Sequence, residues 1–180
     1  MSHPALLILV GMMGAGKSTI GRMLARATGF DFVDCDREIE ARNGVPISTI
    51  FELEGEAGFR KREAALIDEL TQRQRTVLAT GGGAVLSAEN RERLHSRGLV
   101  LYLQAGVDEI LRRTAADRNR PLLQVADPRA RIVELVTQRE PLYAQVAHLT
   151  FASPAANPRR LVKRILSEPA VQAAVASAGA

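Results

Sequence analysis

The chain has 180 residues, of which 46% are apolar and 24% are charged, and its formal net charge is +4. This length suits one domain, and the composition excludes a wholly disordered chain. One cysteine cannot form an internal disulfide, and three scattered histidines do not make a zinc site. The modest charge argues against a nucleic-acid partner, and no apolar run is long enough to span a membrane. Because no basic segment precedes the first apolar run, we expect a cytoplasmic protein.

The first part of the chain predicts a strand, a helix and a second strand. Ala5 to Val10 is a continuous apolar run that ends at a glycine, as in a strand that is buried on both faces. Lys17 to Thr28 is rich in helix formers and is closed by Gly29. Phe32 and Val33 form a short strand that ends at Asp34. Together these segments predict a βαβ unit.

The next segment, from Asp36 to about Leu70, follows a helical pattern. It is interrupted at Asn43-Gly44 and at Gly55, which predicts two or three short helices. Thr49 and Glu52 have the spacing of a capping box.

Strands and helices alternate along the rest of the chain. The remaining predicted strands are Val77–Ala79, Leu99–Leu103 and Leu149–Phe151, and the helices between them are Ser87–Arg97, Val107–Thr114 and Asp127 to about Ala147. Asp127 and Asn157 each precede a proline and are expected to cap helices. This alternation predicts an α/β fold with a five-stranded parallel sheet between two layers of helices.

Two segments lack a clear periodic pattern. Residues 115–126 contain Arg118 and Arg120 and predict a mobile lid. Residues 169–180 are small and alanine-rich, and we expect a disordered tail. One domain over residues 1–168 is the resulting prediction.

The segment from Gly11 to Ser18, GMMGAGKS, matches G-x-x-x-x-G-K-[ST] between a predicted strand and a predicted helix. Its glycines allow successive backbone amides and the helix N-terminus to surround a phosphate. Lys17 then reaches the β and γ phosphates, and Ser18 offers a hydroxyl to Mg²⁺. The motif therefore predicts a phosphate-binding loop.

Two carboxylates, Asp34 and Asp36, end the second strand, at the edge where open α/β sheets bind ligands. If the extended geometry persists, both side chains face the site, one serving Mg²⁺ and the other a substrate hydroxyl. The alternative is that they only cap the following helix. Cys35, between them, is expected to be small and buried.

A triple glycine, Gly81 to Gly83, follows the third strand, where many nucleotide hydrolases have an aspartate. Bare backbone lets a ligand approach closely, which suits the floor of a substrate site. The alternative is a turn that needs unusual dihedral angles. The missing carboxylate argues against a motor or switch ATPase.

Arg60 and Arg139 are candidates for binding a carboxylate or phosphate on a substrate. Glu63, three residues after Arg60 on a predicted helix, is able to hold its guanidinium. The alternative is that both arginines are solvated surface residues, like most arginines of the chain.

These elements together resemble the shikimate kinases, small P-loop kinases related in fold to the nucleoside monophosphate kinases. The resemblance runs from about Leu6 to Leu166. It rests on the segments GMMGAGKSTIGR, Asp34-Cys35-Asp36, LEGEAGFR, TGGGAV, RPLL and REPLY, which begin at residues 11, 34, 53, 80, 120 and 139. Members transfer the γ-phosphate of ATP to the 3-hydroxyl of shikimate, on the way to chorismate and the aromatic amino acids.

The resemblance implies a role for each matching position. Asp36 binds the ring hydroxyls and either accepts the proton of the attacking one or only positions it. Arg60 and Arg139 bind the shikimate carboxylate with backbone at Gly81, Gly82 and Gly83. Ser18 and Asp34 serve Mg²⁺. The implied nucleotide contacts are Gly14, Ala15, Gly16, Lys17, Ser18, Thr19, Arg113, Arg120 and Pro158, with Arg113 and Pro158 on the adenine and Lys17 and Arg120 on the phosphates.

Two alternatives to this activity remain. One is another small-molecule kinase of the same fold, such as a gluconate or nucleotide kinase, which a screen of acceptors distinguishes. The other is a regulatory module that binds nucleotide without acceptor-dependent turnover. We expect a monomer whose partners are ATP and shikimate.

Overall fold

The computed structural model describes residues 5–115, 123–153 and 157–177. The strands in these residues are β1 (Leu6–Val10), β2 (Asp31–Asp34), β3 (Thr76–Ala79), β4 (Leu99–Gln104) and β5 (Leu149–Ala152). They form one parallel sheet in the order β2-β3-β1-β4-β5. The loop after β1 therefore leaves the sheet at its centre, where open α/β sheets bind ligands.

Helices connect these strands. The helices that the structure describes are α1 (Lys17–Thr28), α2 (Cys35–Asn43), α3 (Ile47–Leu70), α4 (Ala88–Arg97), α5 (Val107–Thr114), α6 (Pro128–Val146), α7 (Pro158–Leu166) and α8 (Pro169–Ala176). A 3₁₀ turn, Ala84–Leu86, follows the triple glycine. No helix among the described residues has the length and apolar character needed to cross a lipid bilayer.

The central strand shows why the fold has three layers. Leu6, Ile8 and Val10 pack in a core with α2 to α6, whereas Leu7 and Leu9 pack in a second core with α1, α7 and α8. Successive strand residues point to opposite faces of the sheet, and all five side chains are fully buried. The predicted α/β fold, with helices on both faces of the sheet, is confirmed.

Most predicted elements lie where the sequence places them, and the strand bounds agree within one residue. Asp127 and Asn157 cap α6 and α7, as expected, by accepting hydrogen bonds from the amides of Ala130 and Arg160. The break at Gly55 is also confirmed, with φ of 68° inside α3.

The predicted capping box and the predicted disordered tail are wrong. The capping box at Thr49 does not form, because α3 already begins at Ile47 and the Thr49 amide donates to the Pro46 carbonyl. The expectation of a disordered tail is wrong for residues 169–176, which form α8. Val171 and Ala174 of this helix are fully buried in the core beside α7, and this burial stabilises a helix that is too short to be stable by itself.

Candidate active site

The loop between β1 and α1 forms one half of the cleft. Gly16 lies at the N-cap of α1 with φ of 93°, in the left-handed region that glycine adopts without strain. Among the described residues, no side chain caps this helix and no acidic residue lies in its first turn, so its amides are available to an anion. Lys17 is buried, and its ammonium donates hydrogen bonds to the carbonyl oxygens of Gly11 and Met12 at 2.7 and 2.8 Å.

Ser18 and Asp34 meet beside this loop. The Ser18 hydroxyl donates to Oδ2 of Asp34, while Oδ1 accepts hydrogen bonds from the amides of Asp36 and Arg37 at the start of α2. Asp34 is therefore the cap of a helix, as the alternative held, and it also lines the cleft.

These two residues fit a magnesium ion by their chemistry. Both supply oxygen atoms, and Mg²⁺ at nucleotide sites takes one or two protein oxygens together with phosphate oxygens and water. Within the described ranges, no three His, Cys, Asp or Glu side chains come together as a complete metal cage. The donor set suits an ion that binds together with the nucleotide.

Asp36 reaches the cleft by a different route from the one predicted. The strand geometry does not persist, because α2 begins at Cys35 and Asp36 lies in its first turn. Asp34 and Asp36 nevertheless line one cavity of about 250 Å³ with Lys17 and Gly82. Cys35 is fully buried, as predicted, and burial raises the pKa of its thiol.

The triple glycine leaves space for the side chains around it. A Cβ at Gly81 would lie 2.7 Å from Oε1 of Glu63 and 2.9 Å from Oδ1 of Asp36, and one at Gly83 would overlap the Arg60 guanidinium. None of the three glycines has a positive φ, so the alternative of a turn with unusual dihedral angles is wrong. Close approach, and not conformation, excludes side chains at this floor.

Arg60 is held by two glutamates of α3. Its Nη1 donates to Glu63 at 2.7 Å and its Nη2 to Glu56 at 3.1 Å. Burial lowers the pKa of Arg60, but the two carboxylates more than compensate and raise it. Glu63 is fully buried, and among the described residues its Oε1 has no hydrogen-bond partner. Burial raises the pKa of Glu63 more than Arg60 lowers it.

Arg139, on α6, is only 2% exposed, so the alternative of a solvated surface arginine is wrong for this residue. Its Nε and Nη1 find no hydrogen-bond partner within the part of the chain that the structure describes. Burial lowers its pKa. Nη1 would lie 3.6 Å from a Cβ at Gly82, which places this buried cation against the glycine floor.

A second cavity, of about 220 Å³, adjoins the phosphate loop. Arg113 and Pro158 both line it, together with Gly16, Thr19 and Ser153. Nη1 of Arg113 also donates to the Gly14 carbonyl at 2.8 Å. The structure thus brings together the two residues expected around the adenine. Arg120 and most of the expected lid lie outside the described residues.

Sequence reasoning gave no role to two buried residues of this site. The Ser153 hydroxyl donates to the Ala15 carbonyl of the phosphate loop at 2.6 Å, and no local pattern indicates it. The Tyr143 hydroxyl donates to the Gly82 carbonyl. Tyr143 belongs to the REPLY segment and lies one helical turn after Arg139, which was a usable signal.

A phosphate loop at the centre of a parallel sheet, with buried arginines and carboxylates around the same cleft, defines a P-loop kinase that acts on a small acceptor. The family model for shikimate kinase matches residues 13–169. A shikimate kinase from Bordetella pertussis is 58% identical over 166 residues, which are 92% of this chain and 79% of the relative. The chain belongs to the shikimate kinase family.

Solved structures agree with this assignment. A shikimate kinase from Acinetobacter baumannii, solved in complex with shikimate, has a TM-score of 0.89 and 50% identity and covers 92% of each chain. A gluconokinase from Sinorhizobium meliloti has a TM-score of 0.56 at 15% identity over 99% of this chain and 96% of that chain, a likeness of fold alone. The expected family and the expected ATP-dependent kinase activity are confirmed.

Proposed function

We propose that this chain transfers the γ-phosphate of ATP to the 3-hydroxyl of shikimate, giving shikimate 3-phosphate and ADP. The observation that carries the proposal is Arg139, a buried cation whose Nε and Nη1 have no partner among the described residues, placed against the glycine floor of a P-loop kinase. A planar carboxylate on the acceptor supplies the missing hydrogen-bond acceptors. This reaction is a step toward chorismate and the aromatic amino acids.

The acceptor carboxylate binds between the two arginines. Arg60 is oriented by Glu63 and Glu56, and its guanidinium lies against Gly83. The amides of Gly82 and Gly83 donate no hydrogen bond to any described residue, so they remain available to the same carboxylate. Gly81 completes the floor and leaves space for Asp36 and Glu63.

Asp36 binds the acceptor hydroxyls. Its carboxylate lines the same cavity as Lys17, so a hydroxyl hydrogen-bonded to it lies on the side of the cleft that faces the phosphate loop. From this position Asp36 aligns the attacking oxygen and accepts its proton.

The nucleotide phosphates bind at the loop that contains Gly14, Ala15 and Gly16 and continues into Ser18 and Thr19 at the start of α1. The transition state of phosphoryl transfer is loose and carries its charge on the equatorial oxygens. Catalysis therefore depends on positioning the two substrates and on electrostatic stabilisation of this charge. Lys17 supplies positive charge there. Arg113 and Pro158 lie on either side of the adenine in the adjoining cavity.

Ser18 and Asp34 would hold the metal ion through their side-chain oxygens, which lie together beside the phosphate loop. When bound, Mg²⁺ neutralises charge on the phosphates. The chain's own contribution is to hold these two oxygen donors together at the edge of α1 and α2.

Release of ADP from Mg-ATP tests the proposal, with shikimate, quinate and gluconate as acceptors. We expect strong stimulation by shikimate alone. Asp36→Asn removes the proposed base and is expected to lower kcat by about a hundredfold or more. Asp31→Asn, on the exposed start of β2, is the matched control and leaves kcat unchanged. ATP binding without stimulation by any acceptor would contradict the proposed function.

Arg120 closes over the phosphates in this proposal, which for this residue rests on the family resemblance alone. We expect Arg120→Ala to lower kcat far more than it raises the KM for shikimate, because the lost charge acts on the transferring phosphoryl group. An unchanged kcat argues against this role.

We further propose that the predicted domain, extended to include α8 because Val171 and Ala174 pack in its core, acts as one catalytic unit, in a cytoplasmic monomer without a nucleic-acid partner. Light scattering with both substrates present tests it, and a dimer mass contradicts it.

A further inference from the structure

Tyr143 is a fully buried residue of α6 that touches both halves of the cleft. Its hydroxyl donates a hydrogen bond to the Gly82 carbonyl of the glycine floor and lies 3.6 Å from the sulfur of Met12 in the phosphate loop. Burial raises the pKa of this hydroxyl well above its usual range, more than the neighbouring Arg139 lowers it. Tyr143 therefore keeps its proton and remains a donor.

The hydrogen bond from the Tyr143 hydroxyl to the Gly82 carbonyl orients the whole peptide unit between Gly82 and Gly83. A peptide unit is planar and trans, so its C=O and N–H point in opposite directions. Holding the Gly82 carbonyl therefore sets the direction of the Gly83 N–H. Glycine backbone is otherwise the most free of any residue, and these two amides donate to no described residue.

The contribution of the Tyr143 ring and that of its hydroxyl can be tested separately by substitution. The Tyr143 ring stacks on Tyr102 with centroids 5.1 Å apart and planes 28° apart. A phenylalanine keeps this stacking and removes the hydroxyl together with its contacts to Gly82, Met12 and Arg139. Tyr102 offers a matched comparison, because its own hydroxyl donates to no described residue.

We infer that Tyr143 is a positioning residue for the acceptor: its hydroxyl holds the Gly82–Gly83 peptide so that the amides of the floor are fixed beside Arg139 before the acceptor carboxylate arrives. The inference rests on the proposed function, since it assigns the preset donors to that carboxylate. Fixing donors in advance removes part of the ordering entropy of binding.

The experiment compares Tyr143→Phe with Tyr102→Phe. Calorimetry gives the Kd for shikimate without nucleotide, steady-state kinetics give the KM of each substrate and kcat, and thermal melting reports folding. For Tyr143→Phe we expect the Kd and KM for shikimate to rise about tenfold, the size of one lost hydrogen bond. The KM for ATP is expected to change less than about twofold, because the variant stays folded and loses contacts on the acceptor side of the cleft. Tyr102→Phe leaves all constants within about twofold.

Equal loss of affinity for both substrates, or an unchanged shikimate Kd in folded Tyr143→Phe, overturns the inference. A second measurement needs no variant: in the wild-type protein, shikimate slows hydrogen exchange of the Gly82 and Gly83 amides, and unchanged exchange of both also overturns it. Failure of the proposed function looks different, because the wild-type protein then shows no shikimate-dependent ADP release.

Discussion

The two halves of the cleft differ in how completely the chain satisfies its own polar groups. On the nucleotide side, Lys17 donates to two loop carbonyls, and Ser18 and Asp34 bond each other. On the acceptor side, Arg139 and Glu63 are buried with polar atoms that have no partner among the described residues. The charged side chains of the nucleotide half are thus paired without ligand, and the amides at the start of α1 are left for an anion. The acceptor half instead holds buried charged side chains with incomplete partners in the described part of the chain.

This difference has an energetic consequence. A buried charge without a full set of partners destabilises the folded state, and native proteins retain few such groups. In the acceptor half, the substrate carboxylate removes that penalty for Arg139 when it binds, because it accepts hydrogen bonds from the unpartnered nitrogens. Binding of a planar anion relieves this unfavourable free energy, and the relief contributes to the affinity for the anion.

Lys17→Ala is expected to have the largest effect. Loss of its charge weakens the positive electrostatic potential that stabilises the transferring phosphoryl group, and we expect kcat to fall about a thousandfold or more. The shikimate Kd stays unchanged, because the acceptor half is held by other residues. Lys61→Ala, on the exposed surface of α3, is the control. A parallel loss of shikimate affinity contradicts the independence of the two halves.

Replacing Arg60 or Arg139 by methionine tests the difference in pairing between the two through the free energy of unfolding. Both variants are expected to raise the KM for shikimate about a hundredfold, because each removes charged hydrogen bonds to the carboxylate. Their effects on the unliganded protein have opposite signs. Arg139→Met removes an incompletely paired buried charge and raises the free energy of unfolding by about 1 kcal/mol, whereas Arg60→Met leaves Glu63 unpaired and lowers it by about 2 kcal/mol.

Denaturant unfolding without ligand measures these differences. If both variants lose stability equally, Arg139 is a structural residue, and its unpartnered nitrogens carry no information about a ligand.

The same contrast separates what the sequence could predict from what it could not. The phosphate loop follows from a continuous run of residues and its place between β1 and α1. Arg60 and Arg139 could be selected among the arginines only through the family resemblance, because their burial results from contacts between distant segments. At Asp34 and Asp36 the local pattern allowed both an extended strand and a helix cap, and it could not choose between them. Residues 169–176 were expected in a disordered tail, because the packing of Val171 is not visible in a local pattern.

Gly83→Ala tests the glycine floor with a smaller change. The new methyl group overlaps the Arg60 guanidinium, which must move away from its position beside Glu63. We expect the KM for shikimate to rise about tenfold, since the fork to the carboxylate is misplaced. Gly106→Ala is the control, because a Cβ there meets no atom within 4 Å. Equal kinetics for the two variants would show that the floor tolerates side chains.

The smallest expected effect is in the pH dependence of stability. The pKa of Glu63 is raised in the folded protein, with burial as the first cause, so the folded state binds more protons than the unfolded state between the ordinary and raised values. The free energy of unfolding therefore falls as pH rises through that window. Glu69, on the surface, has its pKa lowered to about 2 by Arg42, so its contribution to stability is present above about pH 4.5 and is lost as pH falls toward 2.

Melting curves of Glu63→Gln and Glu69→Gln, measured against wild type over this pH range, are expected to show differences in Tm that change with pH in opposite directions. We expect a few degrees at most for Glu63, since about 1 kcal/mol moves Tm by about 2–4 °C at this chain length. The exposed Glu69 pair is screened by solvent and moves Tm by about a degree or less. The same slope for both variants would mean that burial does not raise the pKa of Glu63, which contradicts the incomplete pairing of buried charges in the unliganded acceptor half.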